Sequence, residues 1–207
     1  MIPKMSIKSD WRIPAEATFW MPGAADMDEE GIGYFRDVWL ITDVQPSEAR
    51  EVIQQEQRFV EVVGALASTA EDFDRLARCI ERWDPDEEDV EATAHEMSIL
   101  RPMLSELDFA PLEGLELGVA GAVFALAANG MVPAASCRGH TDTHAWSELP
   151  VVLFAADEPH ARALELPVRQ AGCGFDIDPA RLDLLAIQGR SITNLMALAT
   201  VLTGTAD

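Results

Sequence analysis

Leu149-Pro150-Val151-Val152-Leu153-Phe154-Ala155 is a near-continuous apolar run. It reads as a strand, and its unbroken apolarity fits a central position buried on both faces of a sheet. Upstream, Met131 to Ser136 is a second, short strand. Downstream, a helix over Pro159 to Ala171 starts at Asp157-Glu158-Pro159 and ends at Gly172. Strands over Phe175 to Asp178 and Leu182 to Gln188 follow, and Ser191 caps a last helix from Ile192 to Leu202. Ahead of the first strand, Glu113 to Ala128 reads as a helix dense in small residues, closed by Asn129-Gly130. Its glycines cost helix stability, so they imply close backbone approach to a neighbour, within the chain or in a homodimer. The order helix, strand, strand, helix, strand, strand, helix predicts an α+β sheet domain over residues 112–207.

Residues 47–111 are helical in pattern. Ser47 is positioned to cap a helix to about Ala67. Its face carries Val52, Ile53, Glu56, Phe59, Val60, Val63 and Leu66 at three- and four-residue spacing. Thr69-Ala70-Glu71-Asp72 resembles a capping box and opens a second helix through Phe73, Leu76, Ala77, Ile80 and Trp83 to Asp84-Pro85. A third runs from Asp86 or Glu87 to about Leu100, where Pro102 interrupts. Residues 1–46 are an irregular, aromatic-rich segment in which Tyr34 to Thr42 has the pattern of a strand. Trp11, Phe19 and Trp20 are expected to anchor this segment by burial. The whole is predicted to be an α+β protein: a helical N-terminal part packed on a mixed β-sheet with flanking helices.

With 207 residues and 48% hydrophobic content, the chain is long and apolar enough for a sizeable core. Its apolar run Val119 to Ala128 is too short to span a bilayer, and Met1 to Ser6 carry no secretory apolar region, so a cytoplasmic location is expected. Cys79, Cys137 and Cys173 are widely spaced and form no disulfide pattern. The formal net charge is −21. Such a field repels phosphate backbones and disfavours nucleic acid. The acidic run Asp84 to Glu91 suits either solubility or a basic protein partner.

Chemistry concentrates at Ala135-Ser136-Cys137-Arg138-Gly139-His140, with His144 four residues on. A thiol, two imidazoles and a turn glycine meet there at a predicted strand end. Three uses follow. Cys137 with His140 or His144 as base would make a nucleophile, its thiol pKa lowered by Arg138 and a protonated His140. The amides of Arg138, Gly139 and His140 would make an anion nest. Cys137, His140 and His144 would make a metal set, zinc in class, with Cys173 as a fourth ligand and Asp142 orienting an imidazole. Cys79 is expected to be a small buried residue. His95 and His160 are expected to be structural.

Ser136-Cys137-Arg138-Gly139-His140, the strand Pro150 to Phe154, the helix ending Gln170-Ala171-Gly172, then Gly174-Phe175 and Leu184 to Ile187 follow in an order that resembles the wybutosine-synthesis tRNA methyltransferase family. The resemblance covers residues 115–202. Ser136, Cys137 and Gly139 match the family's Ser-Cys-Ser-Gly-Arg segment, while Arg138 and His140 replace its serine and arginine. It implies an S-adenosylmethionine-dependent methyltransferase, with Ser136, Arg138 and Gly139 near the cofactor, acting on a modified guanosine in tRNA. The acidic charge opposes that substrate. The expected function is a small-molecule or metal site at the Cys137–His144 turn, methyltransferase-like if enzymatic. The alternative is an acidic partner-binding protein: an inhibitor, an immunity-type protein or an assembly subunit.

Overall fold

A computed structural model describes residues 2, 9–23, 41, 44–81, 94–105, 114–140, 147–178 and 181–204. Helix α1 spans Pro46–Leu66. Gln45, not Ser47, is its cap: proline takes the first helical position, and the Gln45 amide donates to Glu48 at 3.4 Å. Helix α2 spans Ala70–Glu81 behind the predicted reciprocal cap. The Thr69 amide donates to Asp72 at 3.1 Å and the Asp72 amide to Thr69 Oγ1 at 3.0 Å. Helix α3 spans Ala94–Ser105 and carries Pro102 within it, where an interruption was expected. Packing of Met97, Leu100 and Leu104 into the core shared with α2 overrides the break. The predicted start of this helix, the strand over Tyr34 to Thr42 and the acidic run Asp84 to Glu91 lie outside the described residues, Ile41 apart.

Helix α4 covers only Ala120–Ala128, not Glu113 to Ala128. Gly118 has φ +100°, which no helix accepts. The amides that open α4 are taken by Glu56 of α1: Gly118 N at 2.8 Å, Ala120 N at 2.9 Å and Gly121 N at 3.1 Å. Ala120 through Ala127 are all buried, against α1, α7 and β1, so the small-residue helix packs within the chain.

Strands β1 (Val132–Cys137) and β2 (Val151–Ala155) come next, then α5 (Glu158–Ala163) and α6 (Glu165–Ala171). The single helix predicted over Pro159 to Ala171 is these two, parted at Leu164. Asp157 caps α5 and Gly172, at φ +69°, ends α6. Strands β3 (Gly174–Asp178) and β4 (Arg181–Gln188) precede α7 (Ile192–Leu202), which begins after Ser191 as expected.

The sheet order is β1-β2-β4-β3. Every pairing is antiparallel, which corrects the expected mixed sheet within the α+β class. Among the described strands no crossover joins two adjacent ones, so no parallel pair arises there. β2 is central and all five of its residues are buried. Val152, Phe154, Leu185 and Ile187 face the helical layer. Val151, Leu153, Leu184 and Ala186 form the other face with Cys137, covered in part by Trp20 and Met21. The N-terminal segment borders the sheet. Asp10 bridges Phe175 on the β3 edge and Trp20 bridges Ala156. Trp11 lies 4.8 Å from the Arg12 guanidinium and 5.1 Å from that of Arg169, and Phe19 lies 5.6 Å from that of Arg162. Among the described residues, no helix is long and apolar enough to cross a membrane.

Candidate metal centre

Cys137 ends β1 opposite Val151. The chain then turns through Arg138 and Gly139 to His140. Gly139 has φ +83°, and a Cβ there would meet the Glu148 carbonyl oxygen and the Pro150 nitrogen at 2.8 Å. Glycine is therefore required both for conformation and for the approach of residues 147–150. The His140 amide donates to the Ser147 carbonyl at 3.1 Å, which lays the turn against that segment. The Gly139 amide donates to Cys137 Sγ at 3.3 Å.

Three acidic residues arrive from elsewhere. Glu116 lies just before α4 and touches the turn twice: Oε2 accepts from the Arg138 amide and Oε1 stands 2.8 Å from His140 Nε2. Asp74 of α2 places Oδ1 2.9 Å from His140 Nδ1 and 2.8 Å from Arg138 Nη2. Its Oδ2 pairs with Arg78 at 2.8 Å. Glu81, at the end of α2, pairs with Arg138 Nη1 and accepts from the Leu117 amide at 2.7 Å. Burial pushes the Glu81 carboxyl up, with Arg138 opposing it. At Asp74, burial also works upward but is outweighed by Arg138, His140 and Arg78, so its carboxyl is held below the ordinary value.

Glu116, Cys137 and His140 bring one ligand atom each to within 4.8 Å of one another. Cys137 is 2% exposed. Burial and then the Glu116 charge push its thiol up to about 11; Arg138 does lower it, as expected, but by less. An unassisted nucleophile at neutral pH does not fit such a thiol, whereas a metal would deprotonate it. The nest does not form. The amides of Arg138, Gly139 and His140 donate to Glu116, Cys137 and Ser147, and the Arg138 guanidinium is held by Glu81 and Asp74. Ser136 is half-buried opposite Val152.

His144 and Asp142 lie outside the described residues. Cys173 is not beside Cys137. It packs in the cluster between sheet and helices, its thiol pushed up to about 12 by burial, while Cys137 belongs to the other face. Cys79 is half-buried, not fully buried as expected. His95 is exposed on α3, and His160 stands exposed beside Asp157 at 2.6 Å. Sequence reasoning missed Glu116, Asp74 and Glu81. No spacing rule links them to the turn, and the acid excess was their only trace. Comparison of the chain with family models, curated proteins and solved structures finds no match.

Proposed function

We propose that this protein binds one divalent transition-metal ion, zinc in class, through Glu116 Oε, Cys137 Sγ and His140 Nε2. The convergence of those donors within 4.8 Å, from the entry to α4 and from the end of β1, carries the reading. A mixed sulfur, nitrogen and oxygen set suits zinc and excludes magnesium and calcium as preferred ions. Two surrounding contacts support it. The far ring nitrogen of His140 faces the Asp74 carboxylate, the arrangement that fixes the ring of a metal-bound histidine. The Gly139 amide points at the sulfur and would stabilise a thiolate. With three protein ligands, zinc would keep a position for water or a small molecule. S-adenosylmethionine at Ser136, Arg138 and Gly139 has less support, because the polar groups of Arg138 and Gly139 are engaged within the chain.

The test is elemental mass spectrometry on tag-free protein, loaded with zinc and then exchanged into metal-free buffer. About one equivalent is expected in the parent, and loss of it in Glu116→Gln, Cys137→Ala and His140→Ala. Zinc that is absent from the loaded parent, or retained by Cys137→Ala, overturns the assignment.

A further inference from the structure

Arg138 is 4% exposed, and among the described residues its amide and guanidinium donate to carboxylates. One guanidinium spans Glu81 and Asp74, and the backbone amide of the same residue holds Glu116. Asp74 Oδ1 is shared between that guanidinium and His140. Three carboxylates thus crowd one short turn, and a fixed internal cation answers two of them. Hard cations such as Mn²⁺, Mg²⁺ and Ca²⁺ seek several oxygen ligands at once, while sulfur and imidazole draw borderline metals. With Arg138 in place, the oxygens of Asp74 and Glu81 that face the turn already accept charged hydrogen bonds. Among the described residues, Glu116 is left to join Cys137 and His140.

Resting on the metal reading above, we propose that Arg138 sets the selectivity of the site. Its guanidinium keeps Asp74 and Glu81 out of coordination, leaving a sulfur–nitrogen–oxygen triad where a carboxylate cage for hard cations would otherwise form. A planar fork is needed for this, since one head must meet two carboxylates on separate turns of α2. Lysine, a point charge, would satisfy one of them at a time.

Mn(II) and Zn(II) binding to the full chain decide the matter. Free Mn(II) is followed by its electron paramagnetic resonance signal, and zinc by competition with a chromophoric chelator. The parent is expected to hold zinc and to leave millimolar manganese free. Arg138→Gln is expected to take up manganese and to shift the zinc-to-manganese affinity ratio by about 100-fold towards manganese. Arg78→Gln, which changes the outer partner of the same Asp74, should keep the parent ratio. Gain of manganese binding is not what mere loosening of the fold produces. If Arg138→Gln does not fold, Arg138→Lys is read in its place and should shift the ratio in the same direction. A parent that holds zinc while the Arg138 variants keep its ratio overturns the selectivity role and leaves the metal site standing. A parent that binds manganese as tightly as zinc also overturns it. A parent that binds neither removes both proposals.

Discussion

Glu56 is 1% exposed on the buried face of α1, and its carboxyl accepts three amides from the entry to α4. Burial pushes it up to about 7 from 4.5, against those amides, which favour the ionised form. Between these values the folded chain keeps a proton that the unfolded chain has released. The contribution of this group is therefore full below 4.5 and is lost as the pH rises through 7, a change on the order of 3 kcal/mol. Glu56→Gln has no such proton. Its amide also turns one donor towards donors, so near pH 5 it should be less stable than the parent by about 1–2 kcal/mol. The difference should close or reverse by about pH 8 in urea unfolding. A difference that grows with pH would show that the fold prefers the ionised carboxylate. The residue was legible only as a polar member of an apolar stripe. Cys137 and His140 were legible as a site because they are neighbours in sequence. Asp74, 66 positions from His140, became a partner only through tertiary packing, and so did Glu116, 24 away.

Elements were legible where their signals are local. The Thr69–Asp72 cap, the stripe on α1, the left-handed Gly172 and the order of strands all stand in the structure as in the sequence. The entry to α4 was not, because its terminator comes from α1. Its first amides are satisfied 62 to 65 residues away, and Gly118 reverses the backbone just before it. Strand direction was likewise set by pairing partners, not by composition. Gly118 and Gly64 put this distinction to a paired test. At Gly118, φ is +100° and a Cβ would stand 2.6 Å from Ile192 Cβ, so Gly118→Ala should cost about 3 kcal/mol or more. Gly64 lies within α1 with nothing within 4 Å of its would-be Cβ, and Gly64→Ala should stabilise by roughly 0.5–1 kcal/mol. Thermal melts of the two variants should move in opposite directions. Equal losses would remove the helix boundary assigned to α4.

The whole molecule carries 36 acidic against 15 basic side chains. Its self-repulsion works against the compact state and is screened by salt. Raising sodium chloride from about 10 to 150 mM, with chelator present, shortens the Debye length from about 30 to 8 Å and should raise the melting temperature by a few degrees. An unchanged or falling melting temperature would mean that exposed ion pairs such as Arg162–Glu158 outweigh the net field. The organisation of the chain into a helical part and a sheet part has a further consequence, held in α4. That helix contributes Ala120 and Phe124 to the helical core and Ala122, Val123 and Leu126 to the core over the sheet. Neither part owns it. A recombination that replaced residues 47–81 with another helical pair would have to supply an acceptor for the amides that Glu56 takes and a fitted surface for Ala125. A chimaera that exchanged one part without the other is therefore expected to lose the packing that α4 makes on both of its sides.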